Sequence, residues 1–248
     1  MLLTIDIGNS STKIGIYQDD VLTKKLSIAT DNKKSAADSL TKVEKELPEE
    51  VESIIITSVV NKLPASYKKY AKSKYNVTPV IINHKLNLGF SIKYSPPEDC
   101  GTDRLAAAFA ATRKYGLPVV VCDIGTATTI DLVTENNEFV GGIIAPGPDT
   151  LGSALFDKTS RLPKIDFEYT DKIIGNSTIS SIQSGIYFGY VGLIDGLIER
   201  ILTEANEKPA IVSTGGFANT IAKKSKYLRV VEENLVLDGL RLINRKIS

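Results

Sequence analysis

Short apolar runs rich in β-branched residues recur along the chain, and they fall into two sets of similar order. Leu2–Ile5 opens the first set as a buried strand. Lys13–Tyr17 and Val21–Ile28 read as two further strands, with Gln18-Asp19-Asp20 turning between them. Lys34–Leu47 places Ala37, Leu40, Val43 and Leu47 on one face, the period of an amphipathic helix, and Pro48 ends it. Ser53–Ile56 is strand-like, Leu63–Ser73 a helix whose lysines form a solvated face, and Val77–Ile82 another strand. An alanine-rich helix covers Leu105–Arg113. The second set follows: strands at Val119–Cys122, Thr128–Thr134 and Phe139–Ile144, then a long helix or broken pair over Ile179–Glu204. Gly185, Gly189, Gly192 and Gly196 lie along one side of that segment, where another backbone can approach closely. Ala210–Ser213 is a strand that Thr214-Gly215-Gly216 turns into a helix. Val236, Leu240, Ile243 and Ile247 share one face of a terminal helix.

The two sets are tied together by a shared motif. Asp6-Ile7-Gly8 with Ser11-Thr12 follows the first strand, and Asp123-Ile124-Gly125 with Thr128-Thr129 follows Val119–Cys122. A buried strand aims its terminal carboxylate rigidly, and a glycine lets backbone N–H groups approach an anion with no Cβ in the way. Phosphate with magnesium suits such a turn. Either copy alone reads as a structural hairpin; the pair predicts two related lobes, 1–116 and 117–248, whose turns grip a nucleotide's phosphates. No Walker A or dinucleotide fingerprint offers another nucleotide site.

Composition narrows the partners. Of 248 residues, 42% are hydrophobic and 24% charged, the balance of a soluble globular protein. A net charge of +1 argues against a nucleic-acid footprint. No run is long enough to span a membrane, and no signal peptide precedes the first strand. Cys100 and Cys122 form no metal-spaced cluster, so a cytoplasmic chain with reduced thiols is expected. His84 is the single histidine, which leaves a Ser–His or Cys–His triad little to work with.

Tyr94–Arg104, YSPPEDCGTDR, is a proline-stiffened loop leading into the alanine-rich helix. Asp103 at that helix start reads either as a cap or as a general base, with Arg104 steadying an anionic group beside it. Gly141-Gly142 with Ala145-Pro146-Gly147, and Thr214-Gly215-Gly216, read equally as pocket edges or as plain turns. Ser177-Thr178 reads as a helix N-cap.

Asp6-x-Gly8-Asn9-Ser10, Gly101-Thr102-Asp103-Arg104, the Asp123–Asp131 motif, Gly141–Gly147 and Gln183-Ser184-Gly185 occur in that order. Together they resemble type III pantothenate kinase, of the acetate and sugar kinase, actin-like ATPase superfamily. The resemblance implies an α/β fold of two ribonuclease-H-like lobes, mixed sheets with helices, and ATP in the cleft between them. It implies phosphorylation of pantothenate on its primary hydroxyl, with Asp103 as the catalytic base. Pantothenate contacts fall at Tyr94, Gly101, Thr102, Asp103, Arg104 and Thr178. Nucleotide contacts fall at Asp6, Ile7, Gly8, Asn9, Ser10, Ser11, Thr12, Lys13 and Thr126. Asp6 would hold Mg2+ and Asp123 a monovalent cation, K+ or NH4+. A homodimer is implied, with no nucleic acid and no membrane. Ser10 and Ser177 stand where the family commonly has threonine and asparagine. Two alternatives accompany this reading: a kinase of the same superfamily acting on another small alcohol, and a non-catalytic accessory regulator.

Overall fold

The computed structural model describes residues 1–247. The chain forms two compact units, one of residues Met1–Lys114 with the C-terminal stretch from Asn234, the other Tyr115–Glu233.

In the first unit, β1 (Leu2–Ile7), β2 (Ser11–Gln18) and β3 (Val21–Ala29) form the antiparallel meander, and β4 (Ser53–Ser58) and β5 (Val80–Ile81) add in parallel, in the order β3-β2-β1-β4-β5. Period-two alternation sorts the side chains. Leu3, Ile5, Ile7, Ile14, Ile16, Ile54 and Ile56 face one layer, where they meet Leu40, Val43 and Leu47 and, from α2 (Leu63–Tyr75), Leu63, Tyr67 and Ala71. Each fully buried isoleucine contributes roughly 1.5–3 kcal/mol. Thr4, Asp6, Lys13, Gly15 and Thr57 alternate to the other face. A two-residue strand, β6 (Ser91–Ile92), precedes α3 (Thr102–Tyr115).

Two expectations are corrected here. Lys34–Leu47 is not one helix: α1 (Ala36–Leu40) passes into a 3-10 turn, Thr41–Glu46. The Thr41 hydroxyl back-bonds to the Ala37 carbonyl, an alternative to continuing the α ladder, and Ala36 rather than Ala37 is buried. Val77–Ile82 pairs only over Val80–Ile81, because Pro79 has no N–H to give the ladder.

The second unit repeats the first sheet. β7 (Val119–Ile124), β8 (Ala127–Val133) and β9 (Glu138–Pro146) form the meander, followed by α4 (Pro148–Lys158), α5 (Thr178–Ala205), β10 (Ala210–Thr214), α6 (Ala218–Ala222) and β11 (Val230–Val231). Its strands run β9-β8-β7-β10-β11, the order of the first sheet, with β10 and β11 parallel additions. The segment Ile179–Glu204 lies within α5, a single unbroken helix. Tyr187, Tyr190, Ile194 and Ile198 on α5 cover Val120, Cys122, Ile124 and Ile130.

The last helix, α7 (Leu235–Ile247), does not complete the second lobe as the division 117–248 has it. It packs against β1, β4 and β2 of the first unit. Gly239 makes this possible, since a Cβ there would stand 2.1 Å from the Ala106 carbonyl oxygen of α3. The expected boundary therefore misplaces α7; Ser248 lies outside the described residues.

Candidate active site

The first Asp-Ile-Gly turn closes β1 onto β2. Gly8 N–H is spent inside the turn on the Ser11 carbonyl at 3.1 Å, so what the turn offers an anion comes from the exposed Asn9 and Ser10. Asp6 is 8% exposed and stands between its register partners Lys13 on β2 and Thr57 on β4. Directly paired residues project to the same side of a sheet, so Lys13, Asp6 and Thr57 form one polar row at the strand ends. Ile7 and Thr12 do not belong to that row. Both point into the apolar layer, and the Thr12 hydroxyl pairs with that of Thr30 at 2.9 Å. Only their backbones remain for a ligand.

The N-terminus of α3 meets the row. Thr102, its first residue, has its hydroxyl 2.6 Å from that of Thr57, and the Ser58 N–H donates to it at 3.4 Å. Asp103 folds back over the helix start and accepts from the Arg104 N–H at 2.8 Å. Gly101 is needed for that turn, because a Cβ there would stand 2.5 Å from Asp103 Oδ1. Burial pushes the Asp103 carboxyl above its ordinary value. The Arg104 N–H and charge, its own N–H and the Lys13 ammonium all oppose the rise. A carboxylate strengthened as a base, with a cation beside it, is equipped to take a proton from an alcohol. The Arg104 guanidinium lies 5.1 Å from the centre of the Tyr94 ring and is itself buried, which restricts its freedom to move. Tyr94, Gly101, Thr102, Asp103 and Arg104 thus share one short stretch of surface with Asp6 and Lys13.

Thr57 was not among the expected site residues, because the apolar pattern of that strand stops at Ile56. Its signal is positional: two hydroxyl residues close a buried parallel strand at its carboxyl end, where open α/β sheets place ligands.

The second unit holds Asp123, Thr126 and Thr178. Its turn is one residue tighter than the first: Ile124 pairs with Thr128, whereas Ile7 pairs with Thr12. Thr126 is exposed at the tip, and its carbonyl accepts from Gly147 N–H at 2.9 Å and Thr150 Oγ1 at 2.7 Å. The Gly141–Gly147 stretch therefore buttresses this turn; a Cβ on Gly147 would stand 1.9 Å from the Gly125 carbonyl oxygen. Asp123 pairs in register with Thr214, and Gly215 at φ +94° lets the next turn pass its carboxylate, where a Cβ would stand 2.4 Å from Oδ1. Ser177 caps α5 with a reciprocal Ser180 box, as expected, and Thr178 is exposed on its first turn. Cys100 and Cys122 are both buried, and burial beside Asp123 and Asp131 pushes the Cys122 thiol well up, so it stays protonated.

Among the described residues, no three His, Cys, Asp or Glu side chains group as metal ligands, and no helix is long and apolar enough to cross a membrane.

Two units whose strands share one order, each opening on an Asp-Ile-Gly turn, have the fold of the actin-like ATPases and sugar kinases. The backbone agrees with solved structures across the whole length. A conserved Campylobacter jejuni protein described as a Baf family transcriptional activator superposes with a TM-score of 0.64 at 21% identity, over 99% of this chain and 98% of that one. A Sinorhizobium meliloti protein described as a 2-dehydro-3-deoxygalactonokinase gives 0.58 at 15% identity, over 100% and 97%. Sequence carries the assignment further. The type III pantothenate kinase family model matches residues 2–200. The type III pantothenate kinase of Finegoldia magna is 42% identical over 253 residues, 98% of this chain and 97% of its own. The chain belongs to the type III pantothenate kinase family.

Proposed function

We propose that this chain transfers the terminal phosphoryl group of ATP to the primary hydroxyl of pantothenate, giving 4′-phosphopantothenate, the first step towards coenzyme A. The observation that carries the mechanism is the half-buried Asp103 carboxylate at the start of α3, beside the buried Arg104 and close to the Asp6–Thr57 row. It takes the hydroxyl proton as the oxygen attacks phosphorus. Phosphoryl transfer otherwise needs positioning and charge neutralisation, and this chain supplies both. Asn9, Ser10, Ser11 and Lys13 bind nucleotide phosphate at the first Asp-Ile-Gly turn, and Thr126 is the nucleotide contact of the second turn. Arg104, set over the Tyr94 ring, holds the pantothenate carboxylate, and Gly101 and Thr102 add acceptor contacts.

The donor set fits magnesium. Mg2+ is bound through one or two carboxylates plus substrate phosphates and water, and Asp6 is one carboxylate at a strand end beside the phosphate turn. When bound, the ion neutralises phosphate charge. Asp123 suits a monovalent cation, K+ or NH4+, since its carboxylate is held at a glycine turn.

We read the active form as a homodimer. Leu155, Phe156, Ile173, Ile174 and Ile179 are exposed on and beside α4 and α5. They adjoin an apolar groove of about 1070 Å³ lined by Leu151, Leu155, Gly185, Gly189 and Thr178. An apolar surface of this kind marks an interface, and a second copy covering it would bring that interface to Thr178. A cytoplasmic location agrees with two reduced thiols.

The test is a kinase assay on purified protein with ATP, Mg2+ and K+, reading 4′-phosphopantothenate by mass and comparing kcat/KM across a panel of small alcohols. A better acceptor than pantothenate overturns the substrate. Salt-dependent DNA binding without kinase activity replaces the enzyme by an accessory regulator.

A further inference from the structure

We infer that Thr57 is a positioning residue for the phosphoryl transfer: it ties the strand that presents Asp6 to the helix that presents Asp103. The inference rests on the kinase reading above. Thr57 is fully buried, and its hydroxyl stands 2.6 Å from the Thr102 hydroxyl. It is also the parallel register partner of Asp6. Asp103 follows Thr102 directly, so one hydroxyl pair links the two carboxylates through Asp6–Thr57–Thr102–Asp103.

The chemistry of the pair explains why a hydroxyl stands at this buried place. A helix start has orphan N–H groups and is free to rock about its first turn unless a side chain pins it. Thr102 is pinned from two sides, by the Thr57 hydroxyl and by the Ser58 N–H at 3.4 Å. Valine has the shape of threonine without the hydroxyl. In its place the Thr102 hydroxyl would lose its close partner beside an apolar surface, and the first turn of α3 would turn away to find another. Asp103 moves with it. A small misplacement of a base costs catalysis steeply, whereas contacts made by the nucleotide turn at Asn9 and Ser10 are left as they were.

The experiment compares Thr57→Val, Thr57→Ser and wild type for kcat, for KM of ATP and pantothenate, and for thermal stability. Each substitution is repeated in an Asp103→Asn background. Thr57→Val lowers kcat roughly ten- to hundredfold, the rate equivalent of one unsatisfied buried hydroxyl. KM for ATP stays within about twofold, and Thr57→Ser restores kcat. In the Asp103→Asn background Thr57→Val has no further effect on kcat, because the residue acts through that carboxylate. Should the valine variant not fold, Thr57→Ala is read in the same way. The inference is overturned if Thr57→Val keeps wild-type kcat, or if its loss is undiminished when Asp103 is already asparagine. A wild-type chain inactive on pantothenate is a different result: it removes the kinase reading, and this role with it.

Discussion

The buried guanidinium of Arg104 lies over the Tyr94 ring, 5.1 Å from its centre, on the residue next to the half-buried Asp103. A planar cation held by a ring is oriented as well as charged, and an ammonium cannot reproduce that plane. Arg104→Lys should therefore raise KM for pantothenate while leaving KM for ATP alone. The cost of a partly desolvated cation–π contact, about 1–2 kcal/mol, corresponds to about 5- to 30-fold. Steady-state kinetics with each substrate varied separately checks this, and equal KM shifts for both substrates would count against it.

Asp103 gives opposite signs for activity and stability. Its carboxyl is raised by burial, so the acid limb of kcat/KM falls at a pH above the ordinary aspartate range. As pH rises, the unfolded chain releases this proton before the folded one does. Stability is therefore full below the ordinary aspartate value and is lost as pH climbs through the raised one. At neutral pH the folded protein carries that loss. Asp103→Asn should drop kcat about 10²–10⁴-fold, keep ATP binding, and melt at a higher temperature than wild type near neutrality. Calorimetry at acid and neutral pH checks the sign: the difference in Tm should vanish in acid.

Gly239 and Gly101 separate packing from positioning. Gly239→Ala puts a Cβ 2.1 Å from the Ala106 carbonyl and forces α7 off α3, costing about 1–3 kcal/mol and lowering Tm by about 2–10 °C. Gly101→Ala meets a movable side-chain oxygen, Asp103 Oδ1, at 2.5 Å. It should lower kcat far more than Tm.

Asp123→Asn should abolish the stimulation of activity by KCl over a bulky organic cation chloride, with the protein still folded. Gly215→Ala should do the same, since its Cβ would press on Asp123 Oδ1 in a backbone conformation that disfavours alanine. Retained potassium dependence in both variants would move the cation site elsewhere.

Leu155→Glu should convert a dimer into a monomer in sedimentation velocity, because it places a charge in the apolar groove between α4 and α5. Retention of the dimer would free that surface for another partner.

Local patterning determined a great deal here. Short apolar runs rich in β-branched residues marked nearly every long strand, an apolar face at helical spacing marked α7 though the same signal overextended α1, and the two Asp-Ile-Gly motifs announced a duplicated sheet, because strand, turn and cap preferences act over a few neighbouring residues. Tertiary structure decided what depends on partners distant in the chain. It shortened the Val77–Ile82 strand to two residues, faced Thr12 into the core away from Lys13, and returned α7 to the first unit across Gly239. It also set Thr57 beside both Asp6 and Thr102. No pattern within reach of Thr57 encodes that meeting, since the register of β1 against β4 and the seat of α3 on their sheet are fixed only when the apolar layers close.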